Sequence, residues 1–132
     1  MADLKELLQS ADWKMEKHVP VIEILDQIKK GELVKVSVTV GKEIPHPNKT
    51  EHHISWIEVY FHAQGEKFPY QISRAEFTAH GASINGPDTS SVYTYPGITV
   101  SFKTEKPGVI YASSYCNIHG LWQGSKELRY NI

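Results

Sequence analysis

Val34, Val36, Val38 and Val40 alternate with Lys35, Ser37 and Thr39. A period of two is that of an extended chain with one face turned to a core and the other to solvent, so the run predicts a half-buried strand. Further strand candidates are His18 to Glu23, Ile54 to Phe61, Tyr70 to Ile72, Glu76 to Ala79, Thr99 to Thr104, Val109 to Tyr115 and Lys126 to Tyr130. Gly31, Gly65, Gly86-Pro87-Asp88, Pro96-Gly97 and Pro107-Gly108 separate them, all residues whose backbone geometry favours turns. About seven short strands punctuated in this way predict an all-β chain, an immunoglobulin-like seven-stranded antiparallel β-sandwich. Ahead of it, Asp3, Glu6 and the spacing of Leu4, Leu7 and Leu8 predict a short capped helix ending near Asp12. With 132 residues and no repeat, low-complexity tract or linker, the expectation is a single domain over residues 1–132.

Charge narrows the partners. Fourteen basic residues stand against 15 acidic ones, which gives no global field for nucleic acid or an anionic membrane. No stretch approaches the roughly 20 apolar residues of a membrane span, and Met1 to Glu6 lacks the features of a secretory signal. One cysteine cannot form an internal disulfide, which suits a reducing compartment. A cytoplasmic location is the expectation.

That cysteine lies in Cys116-Asn117-Ile118-His119-Gly120, with His18, His46 and His52 upstream. A thiolate combined with several imidazoles is a redox-metal ligand set and points to non-haem iron or copper. The two-residue spacing lets a turn bring Cys116 and His119 to one ion, with Gly120 helping the chain leave the turn. Pro45 and Pro47 limit the conformations open to His46. His52 and His53 leave an extended backbone on opposite faces, so one of them at most is a ligand. Other readings stand beside this one. A lone cysteine often serves as a small buried hydrophobe; His62 and His80 carry no motif and read as surface or packing residues; Glu16 and Lys17 read as a solvated charged pair; Trp13 and Trp122 read as packing or interface aromatics. A blue-copper carrier, with Gln123 as an axial oxygen donor in place of methionine, and a closed zinc site are the alternative metal centres.

Four strings bear on the choice: Glu16-Lys17-His18-Val19-Pro20-Val21-Ile22-Glu23, Gly41-Lys42-Glu43-Ile44-Pro45-His46-Pro47-Asn48, Thr50-Glu51-His52-His53-Ile54 and Ser114-Tyr115-Cys116-Asn117-Ile118-His119-Gly120-Leu121-Trp122. In order, from about Asp12 to Trp122, they closely resemble the superoxide reductases of the single-iron, neelaredoxin type. The resemblance implies one iron ion per chain, with equatorial imidazoles from His18, His46, His52 and His119 and an axial thiolate from Cys116. It implies that Glu16 occupies the sixth position when the iron is ferric and that Lys17 is the catalytic lysine. Superoxide is then reduced by one electron to hydrogen peroxide, with reduced rubredoxin or a similar donor as partner and a homotetramer as the assembly. The family's optional four-cysteine iron centre is impossible with one cysteine.

Overall fold

The computed structural model describes residues 1–26 and 29–130. Among the described residues seven strands, β1 (Pro20–Ile24), β2 (Leu33–Val40), β3 (Ile54–Ala63), β4 (Tyr70–Glu76), β5 (Gly97–Lys103), β6 (Gly108–Cys116) and β7 (Gly120–Leu128), follow one short helix, α1 (Leu4–Leu7). All pairings between these strands are antiparallel, in two sheets ordered β1-β2-β5 and β4-β3-β6-β7. The predicted sandwich is therefore present.

Alternation places the core between the sheets. Val34, Val36, Val38 and Val40 of β2 face Ile57, Val59 and Phe61 of β3 and Ile110 and Ala112 of β6 across it, all of them buried. In β3 the inward parity breaks once, because Ile54 and Ile57 are both buried while Ser55 and Trp56 between them are not. A register shift between Ile54 and Trp56 against β6 accounts for this: an extra residue in one strand resets which face the following side chains take.

Three boundaries differ from expectation. The helix stops at Leu7 rather than near Asp12, and Asp3 makes no side-chain cap. Gln9 instead exchanges backbone hydrogen bonds with β7, its N–H donating to Leu121 O (3.2 Å) and its carbonyl accepting from Gln123 N–H (2.9 Å), and a residue paired to a sheet cannot continue a helix. The stretch Glu76 to Ala79 is not a separate strand: β4 ends at Glu76, and the Phe77 N–H turns to the Ser55 carbonyl at 2.8 Å. The last strand begins at Gly120, earlier than Lys126.

β1 and β7 lie in different sheets yet approach closely. A Cβ on Gly124 would fall 2.5 Å from the Pro20 carbonyl oxygen, so only glycine lets β7 come this near the segment that begins β1. Two residues before that proline is His18.

Candidate metal centre

Chain connectivity brings the site residues to one end of the sandwich. Pro20 at the start of β1 pairs with Val40 at the end of β2, and Ile54 at the start of β3 pairs with Cys116 at the end of β6. Residues preceding β1, those linking β2 to β3, and the β6–β7 turn therefore meet at a common rim.

There the donor atoms of His18, His52, Cys116 and His119 all lie within 4.8 Å of one another. His18 Nε2 is 3.1 Å from His119 Nδ1, which lies 3.7 Å from Cys116 Sγ. His46 stands at the edge of this group, its ring centre 4.8 Å from that of His18 and 4.7 Å from that of His52. Cys116 is fully buried, whereas His119 is exposed, so the pocket has a closed floor and an open side.

The fit to a cation is visible in unpartnered atoms. Among the described residues, the buried side-chain nitrogens or oxygens without a hydrogen bond are His46 Nε2 and His52 Nε2. Leaving a buried polar atom unmatched is unfavourable by about 1–3 kcal/mol, and two such nitrogens beside a buried thiol form the donor set of a metal site. His46 Nδ1–H donates to the Pro47 carbonyl at 2.6 Å, which leaves Nε2 as a bare lone pair. His18 Nδ1–H donates to Glu16 Oε1 at 2.5 Å, which turns its Nε2 toward His119. Such hydrogen bonds behind a ligating imidazole fix its tautomer and orientation.

Electrostatics keeps these rings neutral. Burial, reinforced by the nearby imidazoles and Lys17, holds His46 down to about 4, against the pull of the Pro47 carbonyl. Burial also lowers His18, although Glu16 opposes it, and lowers His52 with help from the positive charge of its neighbours. Burial raises Glu16, but its hydrogen bonds with His18 outweigh that effect and leave the carboxyl below its usual range. Neutral imidazoles are what a cation requires.

The remaining sequence candidates separate clearly. The Glu16 carboxylate is bound to His18, accepting from its backbone N–H (3.0 Å) as well as its ring; Glu16 and Lys17 are both half-buried beside it. His53 turns away from the cluster, donating from Nδ1 to the Lys49 carbonyl (2.9 Å) and stacking on His80 at 3.6 Å. His62 meets the Glu66 carbonyl at 2.6 Å, at the opposite end of β3. Gln123 lines a groove with Trp56, Tyr60 and Ser113 on the outer face of the four-stranded sheet. It is thereby removed as an axial donor, because neighbouring residues of a strand leave on opposite faces and Trp122 takes the one toward His18.

Sequence reasoning missed two supports. Trp122, read as packing, stacks on His18 with ring centres 5.0 Å apart and planes at 17°, and its Nε1–H donates to the His119 carbonyl at 3.2 Å. Gly41 takes φ +84°, and a Cβ there would meet the backbone nitrogen of His46 and lie 3.0 Å from its Cβ. Its position immediately after the valine strand was the available signal.

Residues 10–125 match the Desulfoferrodoxin family. The superoxide reductase of Pyrococcus furiosus is 61% identical over 125 residues, 95% of this chain and 98% of that protein. The neelaredoxin of Megalodesulfovibrio gigas is 52% identical over 123 residues, 93% and 95% of the two chains. The solved structure of the superoxide reductase (neelaredoxin) from Archaeoglobus fulgidus in the reduced form superposes with a TM-score of 0.87 at 62% identity, covering 92% of this chain and 98% of that one. The buried thiol, the converging imidazoles and these likenesses lead to one conclusion: the chain belongs to the desulfoferrodoxin family, among the neelaredoxin-type superoxide reductases.

Proposed function

We propose that this chain reduces superoxide by one electron to hydrogen peroxide at a single iron ion held by His18, His46, His52, His119 and Cys116. The observation that carries the reading is the pair of partnerless buried nitrogens, His46 Nε2 and His52 Nε2, beside the thiol of Cys116. When bound, iron supplies the electron and a coordination position at which the oxygen anion reacts.

The protein's own groups supply the rest. Superoxide is a small anion, and the ammonium of Lys17, near enough for its charge to act on His18, His46 and His52, raises its local concentration and capture rate. Water held by Lys17 delivers protons to the product, so that one superoxide, one external electron and two protons give one hydrogen peroxide. The backbone N–H of His119, 3.4 Å from Cys116 Sγ, tempers the donor strength of the thiolate, since hydrogen bonds to a ligating sulfur tune the potential of the centre. Glu16 has two tasks: its carboxylate orients His18, and it would serve as a further ligand to iron in the ferric protein.

The electron comes from reduced rubredoxin or a similar carrier. The working assembly is a homotetramer in which residues 1–132 belong to one domain, in the cytoplasm, where the one thiol stays reduced. The test gives the reduced, iron-loaded protein a pulse of superoxide and measures peroxide, dioxygen and iron oxidised. One peroxide per superoxide without dioxygen is expected; dioxygen at half the superoxide consumed would make the protein a dismutase and refute the proposal.

A further inference from the structure

His52 is the one ligand candidate that approaches the cluster from the start of β3, and the ladder that should hold it is interrupted. The register between β3 and β6 shifts between Ile54 and Trp56, and Ile54 opposite Cys116 is the last paired position. Beyond it a single backbone bond, from the Asn117 N–H to the His53 carbonyl at 3.2 Å, joins the segments that carry His52 on one side and His119 on the other. Backbone pairing therefore holds the His52 segment to the Cys116–His119 turn at one point only.

The Asn117 side chain adds two more bonds there. Its Oδ1 accepts from the His53 backbone N–H at 2.8 Å, and its Nδ2 donates to the Glu51 carbonyl at 3.0 Å. Residues 51 and 53 flank His52 on either side, so one carboxamide grips the backbone on both sides of the ligand, as a neighbouring strand's peptide would. A third bond, from the Asn117 backbone N–H to the His53 carbonyl at 3.2 Å, belongs to the main chain and survives side-chain replacement. Ile118, next in the turn, is 57% exposed and makes no such bonds.

We infer that Asn117 is a positioning residue that locks the His52 segment to the Cys116–His119 turn and thereby sets the metal affinity and sulfur donation of the centre. Asparagine suits the task because it alone combines a donor and an acceptor at this length. Aspartate keeps the acceptor and loses the donor; alanine loses both. The inference rests on the iron reading above.

The test compares wild-type protein with Asn117→Ala, Asn117→Asp and Ile118→Ala. Iron affinity is measured by chelator competition, the sulfur-to-iron absorption band by visible spectroscopy of the oxidised protein, and the integrity of the metal-free fold by circular dichroism and urea unfolding. Removing partners that orient metal ligands weakens metal binding by roughly 10–100-fold. Asn117→Ala should show a loss of that size with a shifted band, Asn117→Asp a loss as well, and Ile118→Ala neither. Affinity within about two-fold of wild type together with an unmoved band in Asn117→Ala would overturn the inference, as would a loss of equal size in Ile118→Ala. If Asn117→Ala does not fold, Asn117→Asp decides on the same terms. Wild-type protein that lacks the band would bring down the iron reading, and this inference with it, whereas an intact wild-type band with an unaffected variant brings down the inference alone.

Discussion

Replacing Gly41 by alanine should damage the metal site through the backbone, and Gly65 provides the control. Both residues take a left-handed conformation, φ +84° and +81°, which is unfavourable for an L side chain by about 1–2 kcal/mol. They differ in surroundings. A Cβ on Gly65 has no heavy atom within 4 Å, whereas one on Gly41 strikes the His46 backbone nitrogen and comes within 3.2 Å of its Cα. Those are main-chain atoms and cannot swing aside, so an overpacking penalty of about 1–3 kcal/mol is added at Gly41 alone. Gly41→Ala should therefore lose about 2–5 kcal/mol and Gly65→Ala about 1–2 kcal/mol. Urea unfolding of the metal-free proteins measures both, with a midpoint shift of roughly 1 M or more for Gly41→Ala. Because relief of the clash must move His46, Gly41→Ala should also retain less iron, while Gly65→Ala retains a full complement. Equal stability losses in the two variants, within about 0.5 kcal/mol, together with full iron in Gly41→Ala, would refute the reasoning.

Lys17→Ala should slow superoxide capture and flatten its dependence on ionic strength; unchanged second-order rates across salt concentrations would exclude steering by this residue. Cys116→Ser should abolish the visible band of the oxidised protein, and a spectrum identical to wild type would show that sulfur is not a ligand. Glu16→Ala should keep turnover while altering the ferric spectrum, because it removes both the partner of His18 Nδ1 and the proposed closing carboxylate; an unaltered spectrum contradicts that role. Metal-free protein should weaken in acid. His46 binds its proton near pH 4 when folded but near 6.5 when unfolded, so the unfolded chain holds more protons in between. Stability from this group is then complete above about pH 6.5 and falls by up to about 3 kcal/mol as pH drops to 4. Urea midpoints that stay flat from pH 7.5 to 4.5 would disprove it.

The strand pattern and the residues of the candidate metal site were legible because each carries its information locally. Alternating valines state which way a strand faces whatever it pairs with, and a cysteine three residues before a histidine states what a single turn can hold. His18 was different. It reaches the cluster only because Pro20 pairs with Val40, because Gly124 lets β7 approach Pro20, and because Trp122 offers a flat face to its ring. None of these contacts leaves a trace in the spacing around His18, and only the family likeness linked it to the other ligand candidates. The helix boundary failed for a related reason: Leu8 fits the helical period, but Gln9 gains two backbone hydrogen bonds from β7, and local propensity is worth less than a place in a sheet. Asn117 lay in plain sight between two ligand candidates and still could not be read. Its partners are the main-chain atoms of residues 51 and 53, more than 60 positions away, and a backbone atom has no side-chain signature. The ligands of such a centre are thus written in the sequence as residue types, whereas what aims them is written as contacts between strands, and those become visible only once the two sheets have closed.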